Sequence, residues 1–305
     1  MKTFFIILFR NVKMFFKEKG LFFTSLITPL ILLVLYATFL SSIYKDAYMQ
    51  IFAAGNLTIS DEIMSGLVSG QLFSSLLAVC CVTVSFSSNM LMVQDKVTGA
   101  RKDLLMGPIK KSTLAFSYFT ATAFSTLIIC FIATIACLIY IAYTGWFLSV
   151  SDILFIVLDI FLLVLFGTAL SSVVNFFLSS QGHISAVGSI VSSCYGFICG
   201  AYMPLSSFSQ GLRDVVMFLP GTYGTSLLRN HALGGALKAI TEELSYLPSS
   251  IVDTIIKGLK DTVDCNIYFF ETKVEIWQMY LVLGVSIILL LGAYVLINVL
   301  SKKKN

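Results

Sequence analysis

The sequence predicts an all-α integral membrane protein: six transmembrane helices, an amphipathic interfacial helix before the first and a helical extracellular segment before the last. Three observations carry that expectation. Of 305 residues, 57% are hydrophobic and 12% charged, with a mean hydropathy of +0.92, whereas a soluble domain carries about 25% charged residues. The apolar residues fall in continuous runs without the polar face of a soluble bundle helix. Each run is close to the roughly 20 residues that cross a hydrocarbon core of about 30 Å. In lipid the backbone must satisfy its own hydrogen bonds, so such runs are helices; barrel strands are shorter and alternate in polarity.

Residues 1–20 begin like a signal peptide with "FFIILF", but Arg10 and Lys13 interrupt the run and no small-residue cleavage site follows. Arg10, Lys13 and Lys17 recur at i, i+3 and i+7 beside Phe9, Val12, Phe15 and Phe16. That pattern fits an interfacial helix at the headgroup layer; the plainer alternative is an extension of the first span. Residues 21–305 form the transmembrane domain. Its spans are Leu21–Ile43, Gly70–Val93, Leu114–Tyr143, Ile153–Leu178, Ile184–Tyr202 and Met279–Leu300. The third and fourth exceed a minimal crossing and imply tilt or an interfacial end.

Lysine and arginine set the orientation. Lys2, Arg10, Lys13, Lys17 and Lys19 precede the first span. Lys96, Arg101, Lys102, Lys110 and Lys111 occupy the loop 94–113, and Lys302, Lys303 and Lys304 close the chain. Six spans put all three segments on one side, so both termini and this loop face the cytoplasm. The first outer loop, 44–69, has only Lys45 against Asp46, Asp61 and Glu62. The net charge of +4 thus reflects orientation and gives no reason to expect nucleic acid. Six of the seven cysteines fall in predicted spans and act there as small hydrophobes; Cys265 has no partner in the outer region. No paired-cysteine or His/Cys spacing points to a metal, and no phosphate loop or dinucleotide fingerprint is present. The Asn56-Leu-Thr sequon has meaning only in a eukaryotic lumenal loop. No catalytic residue is expected; the chain moves, binds or senses something.

The loop 94–113 contains a short helix. Thr98 is its expected cap, Arg101, Lys102 and Asp103 fill its early turns, and Gly107-Pro108 ends it. Leu104, Leu105 and Met106 are apolar residues amid charge, the mix that docks into a partner's groove; the alternative is a solvated loop. Within the spans, Asp159 is an intramembrane acid, which costs roughly 2.5–3.5 kcal/mol at mid-bilayer on insertion scales. It is either a proton or cation site or a carboxyl held by neighbouring Ser or Thr; Asp152 lies at the outer edge. Asn89 and Asn175 read as helix glue. Gly188, Ser192, Gly196 and Gly200 form a small-residue stripe on the fifth span, suited to close packing or to movement against the serine-rich second span, with Ser85 and Ser88. The outer segment 203–278 is too long for a plain connection. After Pro248, Leu247, Ile251, Ile255, Leu259 and Val263 make an apolar stripe on a helix capped by Ser249 or Ser250.

The order of these features resembles the membrane subunit of ABC exporters of the type 2 permease class. Gly99, Leu104, Leu105 and Pro108 stand where that family has its coupling helix, although Ala100-Arg101-Lys102-Asp103 replaces the usual Thr-Leu-Glu after the glycine. Gly200, Pro204, Leu219, Pro220, Tyr223 and Arg229 match its outer turns. The resemblance implies a coupling surface of Asp95, Lys96, Gly99, Arg101, Lys102, Leu104, Leu105 and Pro108. It implies a path or subunit interface at Ser85, Ser88, Gly188, Ser192, Gly196 and Gly200, with Pro204 and Pro220 at the outer turns. It further implies a separate cytoplasmic ATPase that carries ATP and Mg, a second permease chain, surrounding membrane lipid, and a bacterial plasma-membrane location. The expected cargo is an amphipathic drug, peptide or lipid-like molecule moved outward. The alternatives are a proton-coupled secondary transporter using Asp159 and a non-transporting immunity or scaffold protein.

Overall fold

The computed structural model describes residues 2–55 and 57–300; Asn56 of the sequon and Lys302–Lys304 of the basic tail lie outside the described residues. Twelve α-helices and one small hairpin are described. They are α1 (Lys2–Lys17), α2 (Lys19–Leu35), α3 (Ser41–Ala54), α4 (Asp61–Val97), α5 (Ala100–Met106) and α6 (Lys111–Thr144). After them come α7 (Val150–Phe177), α8 (Gln181–Ile198), α9 (Gln210–Val216), α10 (Pro220–Glu243), α11 (Ser249–Thr262) and α12 (Ile276–Leu300). A π-helical turn, Tyr36–Leu40, joins α2 to α3. Among the described residues, five stretches are long and apolar enough to cross a membrane: Ser25–Ala53, Asp61–Val97, Lys111–Thr144, Val150–Phe177 and Ile276–Leu300.

Helix α4 is the hub, with α2, α6, α7, α8 and α10 packed round it. Its most apolar window is entirely buried. Gly167 permits the approach of α7: a Cβ there would stand 3.0 Å from both Cys81 O and Val82 Cα. The glue role of Asn89 is visible, since its Nδ2 donates to Ser171 Oγ and Ser172 Oγ of α7, both at 3.0 Å. Asn175 has no such partner.

Four expectations are corrected. The expected outer loop 44–69 is mostly helix: α3 runs into it as far as Ala54 and α4 starts at Asp61. Charged residues there extend the helices beyond the apolar run, and Asp61 and Glu62 suit a helix N-terminus. The run 184–202 is helical only to Ile198. Gly200 takes φ 75° and Tyr202 N donates back to Gly196 O at 2.9 Å, closing the helix end. At 18 residues, several of them Ser or Gly, α8 is not among the five stretches. The fold is all-α as expected, but the segment before α12 is not wholly helical: Ile267–Phe269 and Thr272–Val274 pair antiparallel there. Finally, α11 is capped by Pro248 without a side-chain bond, and its inward face is Val252 and Leu259, with Ile251 at 47% exposure. Leu247, Ile255, Leu259 and Val263 of the expected stripe do pack inward; Ile251 alone turns out, and Val252 takes its place.

Candidate coupling surface and transport groove

The short helix between α4 and α6 forms as expected, with different caps. Gly99, at φ 89°, is the N-cap of α5, a left-handed conformation that favours glycine; Thr98 Oγ1 donates to Gln94 O instead. Helix α5 ends at Met106, and Gly107 is extended beside Pro108. Met106 is 82% exposed, whereas Leu104 and Leu105 turn inward against the cluster of Ile7, Leu114 and Tyr118. Lys102 is exposed.

The other predicted coupling residues brace this helix from behind. Asp95 is buried; Arg10 of α1 meets it in a bidentate ion pair, and Tyr118 of α6 donates to it at 2.5 Å. That bond raises the Arg10 pKa above its ordinary value, and Arg10 therefore leaves the basic stripe expected on α1, where Lys13 and Lys17 remain exposed. Lys96 Nζ donates to Phe176 O and Leu178 O, each at 2.8 Å, at the end of α7. Arg101 Nη2 donates to Asn298 Oδ1 of α12 at 3.0 Å. The end of α4 is thus fastened to α1, α6 and α7, and α5, which follows it, is tied to α12 through Arg101.

On another side of α4 lies an open groove of about 1340 Å³. Its walls are α2 to α3 and α8, its floor is Ser87, Met90 and Gln94 of α4, and one end is Tyr202 to Ser207. Gly188 and Ser192 line it. Ser85 and Ser88 do not: both are buried, and Ser85 Oγ lies 3.3 Å from Thr168 Oγ1 of α7. Gly196 packs against the Tyr202 ring. The groove serine of α4 is Ser87, because the 37-residue α4 turns only one face toward α8.

Beyond the groove, Arg229 of α10 is 1% exposed. Its Nη1 donates to Asp264 at 2.8 Å, and Nη2 donates to Gly200 O at 2.5 Å and Ser75 Oγ at 3.3 Å. Gln71, with its amide oxygen assigned by the donors it faces, accepts from Nε at 3.3 Å. Asp264, at φ 54°, also accepts from Leu205 N, which ties the Pro204 turn to the same point. Pro220 opens α10 at its first position, where its missing N–H costs nothing. Asp159 is fully buried but not held by Ser or Thr: His231 Nδ1 lies 2.7 Å from Oδ2, and Tyr280 OH donates to Oδ1 at 2.7 Å. Asp152 instead forms a capping box with Ser149. Sequence reasoning missed helix α10, His231 and Tyr280. The available signal was Asp159 itself, an acid in an apolar run in a chain with only two histidines. Among the described residues no group of three His, Cys, Asp or Glu is placed to hold a metal ion.

A multi-pass helical membrane protein with a short braced helix between two spans and a long lateral groove is the class these features define. The profile described as "ABC-2 family transporter protein" matches residues 56–300, and the chain belongs to that family. Its members are in general membrane permease subunits of ABC transporters that work with a separate ABC ATPase. A comparison with curated proteins gave no match.

Proposed function

We propose that this chain is the permease half of an ATP-driven exporter that moves an amphipathic drug, peptide or lipid-like molecule out of a bacterial cell. The carrying observation is α5: a seven-residue helix with Met106 bare at its tip, tied to α12 through Arg101 and following the end of α4 that Asp95 and Lys96 fasten to α1, α6 and α7. A partner ATPase holding ATP and Mg pushes on Met106 and Lys102, and the braces carry the displacement to the membrane helices. In this reading α8 with its following turn completes six crossings, both termini and residues 94–113 are cytoplasmic, and 203–278 lies outside. A second permease chain closes the groove, and cargo passes along Gly188, Ser192 and Met90.

The test is purification of the tagged chain with the ATPase encoded beside it. Wild type retains the ATPase and Met106→Asp releases it; equal retention, or labelling of Lys102 only from outside the cell, overturns the reading. The Asp159–His231 pair favours one competitor, proton-driven transport. Transport that persists in ATP-depleted vesicles under a pH gradient and is lost in Asp159→Asn would replace the exporter.

A further inference from the structure

We infer that Asp159, His231 and Tyr280 form a pH-responsive latch that fastens α10 to α7 and α12 and closes more firmly in acid. The two carboxylate oxygens of Asp159 are taken by two other helices, Oδ2 by His231 of α10 and Oδ1 by Tyr280 of α12, each at 2.7 Å. Lifting α10 away leaves half of a fully buried acid without a partner, which costs far more than the bond itself gains. Phe155, one turn before Asp159, stacks on the imidazole at 4.9 Å and 14°. The Tyr280 ring lies 6.4 Å away at 27°. The ring is thus oriented by aromatic neighbours, while 12% of the side chain remains exposed.

A second attachment shows why this one is conditional. Arg229, two residues earlier and so on a different face of α10, fixes the helix to α4 and Asp264. Guanidinium stays charged at every physiological pH, so that attachment is permanent. Imidazole is the side chain whose ordinary charge change falls between about pH 5 and 8. Protonation turns the His231–Asp159 hydrogen bond into an ion pair at the same geometry. No rival charge intervenes. Of the elements packed on α10, α4 has no Asp, Glu, Lys, Arg or His between Glu62 and Asp95, and α12 has none. Helix α7 has only Asp159 and Asp152, the latter beside Gly234. Helix α11, with Asp253, Lys257, Lys260 and Asp261, touches α10 more lightly than the others do. On α10 itself Lys238, Glu242 and Glu243 lie two turns or more beyond His231.

The inference does not depend on the exporter reading, and its test needs no transport. Hydrogen exchange of α10 peptides is followed in lipid nanodiscs, where both membrane faces share one pH, with wild type and His231→Gln compared at each pH. Wild type should exchange about tenfold more slowly than the variant at about pH 5.5, and within about twofold of it at about pH 8. Tyr280→Phe should speed exchange equally at both values. Asp159→Asn keeps the hydrogen bonds without the ion pair, so its pH dependence should vanish; it also serves if His231→Gln does not accumulate. A wild-type to His231→Gln ratio that is the same at both pH values, or larger in alkali, overturns the latch.

Discussion

Arginine holds both ends of this protein together, and it does so in two different ways. At one end Arg229 is sealed at 1% exposure and bonds to a carboxylate, a carbonyl, a hydroxyl and an amide from three parts of the chain. At the other, beside α5, the Arg10 side chain is 29% exposed and meets Asp95, backed by one tyrosine. A sealed charge is costly to strand, so its network fixes one arrangement. A partly solvated pair is cheaper to break and remake, which suits a joint that has to move with a partner.

The sharpest way to break the comparison is to strand the sealed charge. Arg229→Met leaves Asp264 buried, and removal of one partner of such a pair costs about 3–5 kcal/mol. We expect little folded protein in detergent extracts. Adding Asp264→Asn should restore part of the yield, because the orphaned charge goes with it. A double variant no better than the single would mean that Arg229 acts by packing alone.

Breaking the joint beside α5 should cost less. Asp95→Asn removes the ion pair but keeps an acceptor for Tyr118, and with Arg10 partly solvated the loss is about 1–2 kcal/mol. The thermal midpoint should fall by a few degrees while substrate-stimulated ATP hydrolysis drops more steeply. An unchanged midpoint would show that Asp95 holds nothing. Gly99→Ala comes next, at about 1 kcal/mol: a Cβ meets no atom within 4 Å, so the whole cost is the left-handed backbone. Its signature is a normal melt with weakened ATPase capture.

The same two ends differ in how much of them could be read from the sequence. Helix α5 was legible because its signals are local: Gly99, Gly107-Pro108 and the flanking basic residues all lie between Lys96 and Lys111. The long runs that became α4, α6, α7 and α12 were legible for the same reason, since apolar length alone marks them. Helix α10 was not. Its polar residues Arg229, Asn230 and His231 interrupt any apolar run, and the burial of Arg229 and the placement of His231 depend on partners far away in sequence. Asp264 lies 35 residues from Arg229, and Asp159 lies 72 from His231. Local spacing has no access to such pairs. The inward turn of Leu104 and Leu105 was hidden likewise, because it depends on Ile7 and Leu114.

The smallest effect on stability separates bracing from docking most cleanly. Met106 is 82% exposed, and a surface substitution away from any partner stays within about ±0.5 kcal/mol. Met106→Asp should therefore melt with the wild type. Its flexible apolar side chain is the only part of α5 that projects freely from the apolar row Leu104 to Met106, so whatever docks on this helix has to bury it. A carboxylate there places an unpaired charge in that contact. We expect ATPase capture to fall at least tenfold with no change in the melt, the reverse of Arg229→Met. If Met106→Asp lowers the melt and spares capture, the helix is an internal brace and the docking surface lies elsewhere on the cytoplasmic face.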